Sequence, residues 1–275
     1  VGVPPDAFSA SGQDWGLPPY LWDVVQERDF DWLRLRARRM AQLFDGYRVD
    51  HVVGFYRTFV RPRSGGKGVF TPADETSQVA LGEGVLSVFR STGVELVAED
   101  LGTVPDFVRA SLARAVIPGY KVFRWERRWH ARGQPFRDPL EYPAAAVATS
   151  GTHDTEPMTV WWAQAPLEER RAVLDTPSVR SRLSGRERTL AIESAALSSS
   201  VRTALLEALF ASAANLLILP IQDVFGWSDR INHPATVGDQ NWTWRLPWPT
   251  DRMSAEPQAM TVAQQVRTWS TNYKR

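Results

Sequence analysis

The sequence of 275 residues has no cysteine, which excludes disulfides, zinc–thiolate sites and a cysteine nucleophile. Lysine is scarce: among 32 basic residues only Lys67, Lys121 and Lys274 are lysines, and the arginines that make up the rest form no basic block. With a formal net charge of +1, nothing points to nucleic acid or to an anionic membrane as partner. Long apolar runs are also absent, and the longest, 216–221, is far too short to span a bilayer. The first residues lack the charged start and apolar run of a secretory signal, so the sequence reads as cytoplasmic. Internal repeats and low-complexity linkers are missing too. The remainder is ordinary for a globular chain, at 43% hydrophobic and 23% charged residues, and is long enough to bury a full core.

One abundance stands out, 12 tryptophans. Several flank polar or Gly/Pro-rich segments: Trp15, Trp161, Trp162, Trp227, Trp242, Trp244 and Trp248. Indole rings stack on the flat apolar faces of sugars, but they also fill cores, since each buries a large area. The count alone leaves both readings open.

The first twenty residues are rich in Gly, Pro and Ser without periodicity and read as a loop. Apolar spacing then predicts a helix over 31–44, a strand near 48, a helix over 78–92 and a buried strand over 94–98. Helix 101–115, strand 119–125 and a small-residue strand over 144–150 follow. A long polar helical region over 167–214, a strand over 216–221 and a final surface helix beyond 250 complete the chain. Strands alternating with helices imply βα units and a parallel sheet, so the fold class is α/β. Acidic residues fall after four of these strands: Asp50, Glu99, Asp154 and Asp223. Both a (β/α)8 barrel and a doubly wound sheet place ligands at strand C-termini, so the pattern does not choose between them.

Breaking and remaking a glycosidic bond with retention needs two carboxyl groups about 5–5.5 Å apart, one a nucleophile and one an acid/base. Asp50 in RVDH, Glu99 in AEDLG and Asp154 in THD are candidates, the first and the last of them close to Arg or His. Taken singly, each has a bland alternative: an N-cap or ion pair for Asp50, a helix-start carboxylate for Glu99, a capped loop for Asp154. On a strand Arg48 and Asp50 point the same way, so a guanidinium would keep Asp50 ionised. The apolar strand before Glu99 and neighbouring carboxylates would raise its pKa, while Asp100 should point away and serve structure.

At these residues the sequence resembles the 4-α-glucanotransferase family, the amylomaltases or disproportionating enzymes, over their C-terminal half. The resemblance rests on GVPPDAFSASGQDWG, RVDHVVGFYR, AEDLGTVPDFVR, YPAAAVATSGTHD, LPIQDVFG and NWTWRLPW, in that order. It departs at Leu17, at Pro19 and at Ala235. The resemblance implies an α/β fold of the (β/α)8 TIM-barrel type, of which 1–275 is a single-domain C-terminal portion, about strands 4 to 8. It implies Asp50 as nucleophile, Glu99 as acid/base and Asp154 as transition-state stabiliser. Arg48, His51 and His153 would line the donor sugar. Segment 1–30 would cover the active site, with Asp6, Phe8 and Trp15 facing substrate. The implied partners are α-1,4-glucans and maltooligosaccharides, together with a missing N-terminal half of the barrel. No metal or cofactor motif is present, and the mechanism needs neither. A hydrolase using the same carboxylates, or a glucan-binding fragment inactive by itself, are the competing expectations.

Overall fold

A computed structural model describes residues 1–5, 12–64, 66–234 and 236–275. The chain divides into two compact units, Val1–Tyr120 and Lys121–Arg275.

The first unit opens with β1 (Gly2–Val3), β2 (Gln13–Asp14), α1 (Trp22–Glu27), α2 (Asp31–Ala41) and β3 (Gly46–Val49). It continues with α3 (Val53–Tyr56), β4 (Thr58–Val60), β5 (Val69–Thr71), α4 (Glu75–Arg90), β6 (Glu95–Ala98), α5 (Asp106–Arg114) and the start of β7 (Gly119–Val122). An antiparallel sheet has the order β2-β1-β4-β5. The opening segment is therefore not simply a loop. Its strands are two residues each, too short for any alternation to show in sequence.

Parallel pairing decides what stands side by side in this unit. β3 and β6 pair in the register Gly46↔Glu95 to Val49↔Ala98, so Asp50 and Glu99 are the next residues on adjacent strands. The ladder closes there, with the Glu99 N–H donating to the Val49 carbonyl at 2.9 Å and the Val52 N–H to the Glu99 carbonyl at 3.1 Å. β6 pairs in turn with β7 through Ala98↔Gly119. The helix α4 starts at an Asp74 cap, whose carboxylate accepts from the Ser77 N–H at 2.9 Å. It packs on α3 and α2. A side chain at Gly82 would strike the Tyr56 ring, so glycine lets α4 lie directly on that buried tyrosine. Leu33, Val52, Tyr56, Leu81, Val85, Leu96, Val108 and Leu112 form the core beneath.

The second unit is largely helical: α6 (Met158–Gln164), α7 (Leu167–Asp175), α8 (Pro177–Arg180), α9 (Gly185–Glu193), α10 (Ser199–Phe210), α11 (Ile221–Phe225) and α12 (Pro257–Tyr273). Its short strands β8 (Ala146–Thr149) and β9 (Leu216–Leu217) are parallel, through Val147↔Leu216 and Ala148↔Leu217. The expected long helical region is four helices. Thr176–Pro177, the Ser184–Glu187 capping box and the Ser198 cap interrupt it. Nor is it polar throughout, since Val201, Leu205, Leu206 and Leu209 of α10 lie in the core with Trp162, Leu174 and Trp269. The strand expected over 119–125 stops at Val122 and turns into a 3₁₀ segment. Both units are α/β or helix-rich with parallel strands. No helix among the described residues is long and apolar enough to cross a membrane.

Candidate functional site

In the first unit Arg48 ends up where the strand period places it, on the same face as Asp50. Its Nη1 pairs with Asp50 Oδ1 at 2.6 Å, and its guanidinium lies over the Tyr120 ring, 5.7 Å from the centroid. Asp50 is largely exposed, at 76% for the side chain. Glu99 has a different setting. The His51 N–H donates to its Oε2 at 2.7 Å and the Leu101 N–H to its Oε1 at 3.0 Å. His51 takes a left-handed backbone, φ 45°, which turns the chain after the strand ends, while its N–H belongs to the peptide unit that joins it to Asp50. Asp50 and Glu99 are thus neighbours of a single peptide unit, the one between Asp50 and His51.

Burial raises the Glu99 pKa above its ordinary value. Both backbone donors and Arg48 oppose the rise, and Asp50 adds a smaller upward push. Burial also lowers the pKa of His51, against the pull of Asp50, so its imidazole is neutral near pH 7. Trp15 meets that ring edge-on, centroids 5.0 Å apart, which brings a residue of the opening segment to Asp50's neighbour. Tyr120, not anticipated from sequence, joins through the β6–β7 pairing. Burial raises its pKa, and Arg48, Glu99 and Asp50 all act on it electrostatically. Asp100 is buried, accepts from the Tyr120 N–H at 2.7 Å and pairs with Arg109 at 2.7 Å, the structural role expected for it.

In the second unit Asp154 does not stand at a strand end. Four residues separate it from Thr149, the last of β8, and a loop carries it. Thr155 stiffens that loop: its Oγ1 accepts from the Thr152 N–H and donates to the Thr152 carbonyl, both at 3.0 Å. His153 Nε2 lies 3.3 Å from Asp154 Oδ2. Asn232 Nδ2 donates to Asp154 Oδ1 at 2.6 Å, and Arg230 Nη2 donates to the Asp154 carbonyl at 2.6 Å. Trp242 packs on His153 with centroids 5.1 Å apart and is more than half exposed. Asp223, expected after a strand, sits buried in α11, where Ser150 Oγ and the Met158 N–H donate to it at 2.5 and 2.6 Å. Burial raises its pKa.

The tryptophans divide between the two readings. Trp161 and Trp162 are core residues. Trp227, Trp244 and Trp248 cluster with Phe225, and Trp15 and Trp242 lie beside candidate histidines. Thus Arg48, Asp50, His51, Glu99 and Trp15 are gathered within one unit, and His153 with Asp154 within the other. Asp6, Phe8 and Ala235 lie outside the described residues. Arg230 and Asn232 were missed as site residues. Among the described residues, no group of three or more His, Cys, Asp or Glu could hold a metal ion.

Comparison with known proteins matches residues 1–251 to the family model described as 4-alpha-glucanotransferase. The 4-alpha-glucanotransferase of Chlamydia muridarum is 31% identical over 261 residues, 93% of this chain and 48% of that protein. That of Chlamydia trachomatis is 32% identical over 252 residues, 90% of this chain and 46% of that protein. Among solved structures, an amylomaltase from Streptococcus agalactiae in complex with acarbose superimposes with a TM-score of 0.76 at 26% identity. The match covers 100% of this chain and 50% of that one. The chain spans about half the length of the curated relatives it matches.

Proposed function

We propose that this chain, which belongs to the 4-α-glucanotransferase family, supplies the reacting carboxylates that move α-1,4-glucan segments between glucans. On this reading residues 1–275 are the C-terminal portion, about strands 4 to 8, of one catalytic (β/α)8 barrel. The observation that carries it is the pair at the ends of β3 and β6. An exposed, arginine-paired aspartate stands beside a buried glutamate whose pKa is raised, and one peptide unit joins them.

The chemistry follows from that asymmetry. Asp50 attacks the anomeric carbon of the donor as a carboxylate. Glu99, protonated, gives its proton to the departing glycosidic oxygen, so a covalent glycosyl-enzyme forms and the distal glucan leaves with a free hydroxyl. Glu99, now ionised, takes the proton from an acceptor hydroxyl, whose oxygen attacks the anomeric carbon and frees Asp50 with net retention. The backbone donors on both oxygens stabilise Glu99 in its ionised half of the cycle, while burial favours the protonated half. Asp154 binds hydroxyls of the attacked sugar and favours a flattened, positively charged ring. Arg48, His51 and His153 line that sugar, and Trp15, with Asp6 and Phe8, faces the acceptor. Maltotriose separates transfer from hydrolysis. Transfer yields maltopentaose and longer chains with no net gain in reducing ends, whereas a gain in reducing ends without longer products would refute the reading.

A further inference from the structure

The loop carrying Asp154 has no strand to hold it, and beyond the local bonds between Thr152 and Thr155 it is held by residues distant in sequence. Arg230 spreads its guanidinium over three acceptors: Nε donates to the Asn232 carbonyl at 2.8 Å, Nη2 donates to the Asp154 carbonyl at 2.6 Å, and Nη1 lies 3.8 Å from Glu156 Oε2. Glu156 is itself immobilised. Buried Arg124 donates to its Oε1 at 2.7 Å and to its carbonyl at 2.9 Å, and Arg124 in turn feels the field of Asp223. Arg230 therefore rests against a fixed anion while bridging two backbones. The bridge matters because Asn232, one of those two residues, donates its side-chain amide to Asp154 Oδ1.

We propose that Arg230 is a positioning residue: by tying the Asp154 and Asn232 carbonyls to one planar guanidinium, it keeps the Asn232 amide on the Asp154 carboxylate and so fixes the direction of that carboxylate. The inference rests on the reading of Asp154 as the group that holds the attacked sugar. Arginine is required because its donors are set in a rigid fork, whereas a lysine's single nitrogen cannot serve two carbonyls and a carboxylate in the same geometry.

The test compares Arg230→Met and Arg230→Lys with Asp154→Asn and Asn232→Ser. The Asn232 side-chain amide is read by ¹⁵N NMR and assigned by its loss in Asn232→Ser. In Arg230→Met the amide is expected to exchange with solvent at least about tenfold faster, because a charge-assisted hydrogen bond is lost. Its chemical shift should move to the position seen in Asp154→Asn. Arg230→Lys should fall between. In maltotriose disproportionation the methionine variant should lose at least about tenfold in kcat with KM changed less than about threefold, the split expected for an interaction used in the transition state. An amide in Arg230→Met with wild-type shift and exchange overturns the proposal, and so does a released amide with unchanged kcat. If circular dichroism shows the methionine variant unfolded, the lysine variant decides: wild-type amide protection there overturns the staple. Normal turnover by Asp154→Asn refutes instead the role given to Asp154, and the amide comparison still judges Arg230.

Discussion

Asp50 and Glu99 owe their placement to backbone; Asp154 owes its placement to side chains. The first two follow the last registered pair of parallel strands, and main-chain N–H groups of His51 and Leu101 hold the glutamate. The third hangs in a loop, tied by Arg230, Asn232 and His153. A strand end fixes a carboxylate through ladder bonds that any side chain would permit. A loop needs particular donors, so the second arrangement is the more vulnerable to single substitutions away from the carboxylate it carries. The first is vulnerable mainly at Asp50 and Glu99 themselves.

The largest expected effect breaks the first arrangement at its centre. Asp50→Asn should lower maltotriose disproportionation by at least about 10³-fold while leaving maltooligosaccharide affinity within a few-fold, because the covalent route is lost and the sugar contacts are not. Chromatography of the products checks it, and near-normal yields of longer oligomers would remove Asp50 from the mechanism. Glu99→Gln should cost about 10²- to 10⁴-fold on the same substrate. Its defect should shrink on a glycosyl fluoride donor, whose leaving group needs no proton. Equal losses on both donors would mean that Glu99 does not protonate the leaving oxygen.

The contrast between the two arrangements also explains what the sequence could disclose. The placement of Asp50 and Glu99 was legible because each follows a short strand, a pattern confined to a handful of consecutive residues. The Asp100 role followed from the same alternation and agrees with its buried pairing to Arg109. Asp154 was singled out by its motif, but its setting was not legible, since Arg230 and Asn232 lie 76 and 78 residues away and no periodicity links them to it. The left-handed backbone at His51 was hidden for another reason: the residue is not glycine, so nothing local announces it. The antiparallel sheet β2-β1-β4-β5 escaped because its strands are two or three residues long. Breaks in the helical stretch 167–214 rest on serine and proline caps, which were present in the sequence and could have been read.

A smaller effect probes how the surroundings of Glu99 set its proton affinity. Burial pushes the pKa up and Arg48 pulls it down, with Asp50, Tyr120 and neutral His51 as the other titratable groups facing it. On the proposed mechanism Glu99 starts the cycle protonated, so kcat/KM should decline on the alkaline side as pH rises through that raised pKa. Arg48→Met removes a cation that favours the carboxylate. The sign is therefore upward: the alkaline limb should move to higher pH, by up to about one unit, alongside a lower maximum from the loss of Asp50's partner. A pH–rate profile measures both, and a limb displaced to lower pH would contradict the electrostatic account.

The smallest effect belongs to an exposed ring at the second arrangement. Trp242 is 59% exposed, yet its backbone is held in the left-handed region at φ 62°, a conformation that a bulky residue adopts only at some cost in strain. Its N–H donates to the Ile231 carbonyl at 2.8 Å, which ties the ring's position to the segment that also bears Arg230 and Asn232. A large apolar ring kept exposed against His153 suits stacking on a sugar face rather than packing. Trp242→Ala should therefore leave the thermal midpoint nearly unchanged, raise KM for maltotriose by about three- to tenfold and alter kcat less than about twofold, the size of one ring-stacking contact. Trp162 supplies the control, being fully buried among Leu174, Leu205 and Trp269 in the core. Its replacement by alanine should cost about 3–5 kcal/mol of stability. If instead Trp242→Ala lowers the melting temperature and spares KM, the ring is a structural clamp on the segment that bears Arg230 and Asn232, and the proposed sugar contact at this end would rest on His153 and Asp154 without it.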